Sequence, residues 1–76
     1  MTPFEYMKSR TEAEVRAICS VAKTKFSYFE QIAYGHRRPS FELAERLADA
    51  SGGAMSVIEL LNAKRDRENR IAESAA

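Results

Sequence analysis

The stretch T-E-A-E-V-R-A-I-C-S-V-A-K-T-K-F-S-Y-F-E-Q-I-A-Y-G-H-R-R-P-S, residues 11–40, decides the fold. It opens on a capping box, in which the Thr11 hydroxyl accepts from the Glu14 backbone N–H and the Glu14 side chain returns to residue 11. Val15, Ile18, Cys19 and Ala22 then recur at i, i+3, i+4 and i+7, the spacing of one helical stripe. A further helix is expected over 25–34, with Phe29 and Ile32 facing inward and Phe26 or Ala33 extending that face. It stops at Gly35, which no other glycine precedes, and a polar loop over 35–39 follows.

The flanks repeat the pattern. A first helix is expected from Pro3, a favoured first helical residue, to about Ser9, with Phe4 and Met7 as its apolar edge. Ser40 is a good N-cap for a fourth helix with the stripe Phe41, Ala44, Leu47 and Ala48, closed by Gly52 and Gly53. Ser56 begins another capping box, S-V-I-E, ahead of Val57, Ile58, Leu60 and Leu61. No segment alternates as a strand would. The expected fold is all-α, a compact five-helix domain over residues 1–62. A charged extension over 63–76 follows, either a continuation of the fifth helix or a frayed tail.

Composition narrows the chemistry. Seventy-six residues make one small core. The single Cys19 cannot form an internal disulfide, which suits a reducing, cytoplasmic setting. No apolar run approaches the roughly 20 residues that span a bilayer, and no secretory leader is expected. The formal net charge is +1, but it is unevenly spread. Residues 23–40 carry Lys23, Lys25, Arg37 and Arg38 against Glu30. Residues 41–63 carry Arg46 against Glu42, Glu45, Asp49 and Glu59. A basic segment is followed by an acidic one, which suits a small domain with one face for an anionic partner.

Catalysis is not expected. One His and one Cys exclude a Cys/His zinc cluster, and no phosphate-binding glycine loop is present. Cys19 lies on an inner stripe, where a thiol packs as a small hydrophobe. No cofactor, metal or small-molecule substrate is implied. What remains is geometric. Two short helices joined by about three residues form the helix-turn-helix arrangement, whose second helix enters the DNA major groove.

The residues 26–40, F-S-Y-F-E-Q-I-A-Y-G-H-R-R-P-S, resemble lambda-repressor/Cro-type helix-turn-helix proteins, in which the recognition helix often reads S-x-Y-L-x-Q-I-x-x-G-x-R-x-P-S. The following L-A-E-R-L-A-D-A-S-G-G-A-M-S-V-I-E-L-L is similar to the end of small phage and prophage Cro-like regulators. The likeness covers residues 11–61. Two positions depart from it. Lys23 stands where the family commonly has a turn glycine, and Lys25 stands where a Ser or Thr cap is common, leaving Thr24 as a substitute cap.

The resemblance implies base contacts from Lys25, Phe26, Ser27, Glu30 and Gln31. Gln31 has the donors and acceptor for a bidentate pair with adenine, though a solvated helix face would suit it equally. Phe26 either covers a thymine methyl or caps the core. Glu30 either accepts from cytosine N4 or is a bystander. Backbone contacts are expected from Lys23, Thr24, Tyr28, Tyr34, His36, Arg37 and Arg38. The two arginines could instead pair with Glu42 or Glu45.

The resulting expectation is a transcriptional repressor on a double-stranded DNA operator in a bacterial or phage-infected cell. It would act as a homodimer through residues 56–71. The competing expectation is an antitoxin-like, partner-neutralising module that does not read bases. A purely structural helical oligomer leaves the Arg37-Arg38 loop unexplained.

Overall fold

The computed structural model describes residues 1–65, 67 and 68. Among the described residues the helices α1 (Pro3–Ser9), α2 (Glu12–Val21), α3 (Phe26–Ala33), α4 (Phe41–Ala50) and α5 (Val57–Leu61) follow in order, with a sixth helical run after them. No strand occurs among the described residues.

Local chemistry sets four of the five starts. Thr2, Thr11 and Ser56 each accept from the backbone N–H three residues on, and Glu5, Glu14 and Glu59 return the bond to the cap. The backbone N–H groups of Thr2, Thr11 and Ser56, donating to these carboxylates, hold all three carboxyls below their usual range. Ser40 Oγ accepts from the Leu43 N–H at 3.1 Å.

Three helix ends share one closure. After α3 the Gly35 N–H donates to Ile32 O (3.0 Å) and the His36 N–H to Gln31 O (2.8 Å). After α4 the Gly52 and Gly53 N–H groups reach Asp49 O and Ala48 O. After α2 the same pair of bonds runs from Lys23 to Ser20 O (3.2 Å) and from Thr24 to Cys19 O (2.9 Å). Each is a Schellman motif, which needs a left-handed residue just past the cap. Gly35 and Gly52 supply it at φ 79° and 65°, but Lys23 must adopt φ 60°. Among the described residues it is the one non-glycine with positive φ. A side chain there costs about 1–2 kcal/mol, while glycine adds roughly 0.5–1 kcal/mol of unfolded-chain entropy. Lys23→Gly is therefore expected to stabilise the domain by up to about 1 kcal/mol. In a chain this short that raises the thermal midpoint by as much as roughly 4–8 °C. A circular-dichroism melt showing a lower midpoint for the variant would refute the strain.

The core gathers Val15, Ile18, Cys19 and Ala22 of the α2 stripe, Phe29, Ile32 and Ala33 of α3, and Leu43, Ala44 and Leu47 of α4. Tyr6, Met55, Leu60 and Ala63 complete it. Helix α2 packs against α3 and α4, α1 against α3, and α4 against α5.

Three sequence expectations are corrected. Phe41 is 62 % exposed and Leu43 takes its inward place, because the first residue of α4 lies off the face that meets α2 and α5. In α1 it is Pro3 and Tyr6 that are buried, with Phe4 and Met7 half-buried. The five-helix count also changes. Asn62 breaks α5 (φ −97°, ψ 7°), and a sixth helical run then covers 63–65, 67 and 68. The break turns Ala63 into the core, against which it is 3 % exposed. The rest of the charged extension, residue 66 and residues 69–76, lies outside the described residues.

Candidate nucleic-acid interface

Helix α3 has two unlike faces. Phe29, Ile32 and Ala33 are buried, while Ser27, Gln31 and Tyr34 are exposed at i, i+4 and i+7. Phe26, Tyr28 and Glu30 are half-buried beside that outer stripe. The Gln31 side-chain amide makes no hydrogen bond among the described residues, and its backbone carbonyl accepts from both His36 and Arg37.

The start of α3 differs from the others. Lys25 is its N-cap and no side chain bonds the first-turn N–H groups. Thr24 therefore does not act as the substitute cap expected from sequence. The extended Lys25 backbone places the helix start one residue beyond it. The first turn is left with unpaired donors next to the exposed Lys23 and Lys25.

Two grooves meet at this end. One, of about 590 Å³, lies between α2 and α3 and is lined by Glu12, Arg16, Lys25, Phe26, Ser27 and Glu30. The other, of about 380 Å³, lies between the α2–α3 turn and the start of α4. Lys23, Thr24, Lys25, Tyr28, Ser40, Leu43 and Arg46 line it. Lys25 belongs to both.

At the far end of α3, His36, Arg37 and Arg38 are exposed in the loop. Arg37 sits over the Tyr28 ring, 5.8 Å from its centroid. Neither arginine pairs with Glu42 or Glu45 among the described residues. Glu42 is bound instead by Arg46 (3.3 Å), whose Nε also donates to Ala22 O (2.9 Å) and ties α4 to the end of α2. Tyr34, expected at the backbone, is engaged by α1. Its ring meets Phe4 edge-on at 5.8 Å, and Lys8 Nζ donates to its hydroxyl at 3.5 Å.

Sequence reading overlooked Arg16, Lys8 and Arg46. Arg16 stacks on the Phe26 ring at 4.4 Å and pairs with Glu12 at 3.3 Å. The i, i+4 spacing of Glu12 and Arg16 was legible, but the stack depends on how α2 crosses α3.

Cys19 is 2 % exposed, and burial pushes its thiol up to about 11, so it stays protonated at neutral pH. Among the described residues no group of three His, Cys, Asp or Glu side chains is placed to hold a metal ion. No described helix is long and apolar enough to cross a membrane. No protein-family model matches the chain, and neither a curated protein nor a solved structure does.

Proposed function

We propose that this chain is a sequence-specific double-stranded DNA-binding regulator, a Cro-like repressor that occupies an operator and carries out no catalysis. In this reading α2 and α3 form the helix-turn-helix and α3 enters the major groove. One observation carries it: the outer stripe of α3 is bracketed by cations at both ends. Lys23 and Lys25 flank its start, and Arg37 and Arg38 follow its end. Eight helical residues span about 12 Å, close to the width of the major groove. Cations at the two ends of such a helix suit the phosphate rims on either side.

Within this reading Lys25, Phe26, Ser27, Glu30 and Gln31 face base edges. Lys23, Thr24, Tyr28, His36, Arg37 and Arg38 meet the backbone, and Tyr34 adds its ring edge from beside Lys8. Two copies would associate through α5, where Ile58 is 70 % exposed between half-buried Val57 and Leu61. The part of the expected 56–71 interface at residues 66 and 69–71 lies outside the described residues. Paired recognition helices then meet half-sites about 34 Å apart.

The test is fluorescence anisotropy on random and promoter duplexes across a salt series. Gln31→Ala is expected to cost about 1–3 kcal/mol, mainly on the specific site. Arg38→Ala should weaken all DNA alike and flatten the log–log salt slope by about 0.9. Equal losses on both duplexes for both variants would remove Gln31 from the reading set. No salt-dependent binding at roughly 50 mM salt would overturn the proposal. The protein-binding alternative would then stand, favoured by Glu12 and Glu30 in the same groove as Arg16 and Lys25.

A further inference from the structure

The larger groove brings together two side chains that are four residues apart on α3, Phe26 and Glu30. Residues at this spacing lie one above the other, with Cβ atoms about 5–6 Å apart. Phe26 is packed against the core and carries the Arg16 guanidinium over its ring at 4.4 Å. The half-buried Phe26 side chain also lines the groove. Glu30 is half-buried, and its carboxylate makes no hydrogen bond or ion pair among the described residues. The groove thus pairs an apolar contact with an unfilled acceptor.

In the major groove the two demands select one base. A carboxylate accepts from the N4 amine of cytosine and is repelled by the O4 acceptor of thymine. An apolar ring rim favours a methyl group at C5, which thymine has and cytosine lacks. The pyrimidine that carries both the N4 amine and the C5 methyl is 5-methylcytosine. On that base the two groups are neighbours on the same edge, as Phe26 and Glu30 are on the helix. Arg16, exposed and paired with Glu12 at 3.3 Å, braces the ring and offsets the negative charge of the two glutamates.

The geometry points to a methylation-sensitive reading site in which Phe26 contacts the C5 methyl of 5-methylcytosine while Glu30 accepts from its N4 amine. The inference rests on the DNA-binding reading above and assigns that surface a regulatory input, the methylation state of the operator.

The test uses the full chain and duplexes selected by it from a random library. These are resynthesised with 5-methylcytosine in place of each cytosine in turn, and with thymine in the same places. At one cytosine per half-site, methylation should tighten binding about fourfold, the effect of burying one methyl group. Thymine there should weaken binding. Phe26→Ala should abolish the methylation effect while keeping the preference for cytosine. Glu30→Gln, which keeps the side chain's size at a position where the carboxylate makes no bond among the described residues, should cut the preference for cytosine over thymine about tenfold and leave the fold intact. Salt-dependent binding that is indifferent to methylation at every cytosine overturns this inference alone. Selection that returns no bound duplex overturns the DNA reading beneath it.

Discussion

Phe29→Ala is expected to lose about 3–5 kcal/mol of folding stability, the cost of emptying a large buried aromatic site. Phe29 is fully buried at the centre of α3, among the side chains of α2 and α4 that make up the core. A chain of this length has about 4–11 kcal/mol in total at typical per-residue values. At least about a quarter of the stability would go, and all of it at the lower end of that range, so the urea midpoint should fall steeply. Urea titration followed by circular dichroism measures it. A loss below about 1 kcal/mol would mean that the α3 face has been placed the wrong way round. The comparison with Gln31→Ala, two residues on, sharpens the result. Gln31 is exposed, so its substitution should leave the urea midpoint nearly unchanged and, under the proposed function, act on DNA binding alone. A single turn of the helix then yields a stability variant and, under the proposed function, a binding variant.

Gly35→Ala is the second large effect, expected to cost about 1–4 kcal/mol once the roughly 0.5–1 kcal/mol that alanine recovers in unfolded-chain entropy is subtracted. Part is backbone strain, since residue 35 sits at φ 79° and a left-handed alanine costs roughly 1–2 kcal/mol. Part is collision. An added Cβ would lie 2.5 Å from Arg67 Cβ, 2.7 Å from Arg67 Cδ and 3.2 Å from Ala63 O. Overpacking of this kind adds about 1–3 kcal/mol. The two parts separate experimentally. Removing the opposing side chain in the double variant Gly35→Ala/Arg67→Gly should recover the part of the collision due to Arg67 and leave the strain and the Ala63 O contact. Full recovery would show that φ at residue 35 is not constrained, and no recovery that the sixth helical run does not press on Gly35. Gly52 has nothing within 4 Å of an added Cβ, so only the strain part applies there.

The legible features were those written within a few residues of each other. Thr11 with Glu14 and Ser56 with Glu59 mark helix starts by spacing alone, and the capping bonds form there as expected. The pair Phe29 and Ile32 shows the inward face of α3 by its period, which fixes Ser27 and Gln31 on the outside. What stayed hidden depends on how distant segments pack. Phe41 fits the α4 stripe by spacing, but Leu43 is the residue that the crossing of α4 with α2 and α5 turns inward. Met55 lies in a loop with no periodic pattern, yet it is fully buried. Asn62 gave no stop signal strong enough to reveal the sixth run. The site divides in the same way. Its outer stripe follows from helical periodicity, whereas the Arg16–Phe26 stack and the Lys8–Tyr34 contact require α2 and α1 to be placed against α3.

The start of α3 also bears on how this chain could change over generations. Two positions there are poor choices for folding: Lys23, held left-handed, and Lys25, at an N-cap that Ser, Thr or Asp would fill better. Replacing either by the residue that folding prefers removes a cation from the flank of α3, and Lys25 lines both grooves. Folding and the proposed DNA binding therefore pull these two sites in opposite directions. A laboratory screen that rewards heat resistance alone would collect such replacements first and carry the chain away from its proposed partner, whereas lineages kept under selection for DNA binding would retain the two lysines and tolerate the weaker helix start.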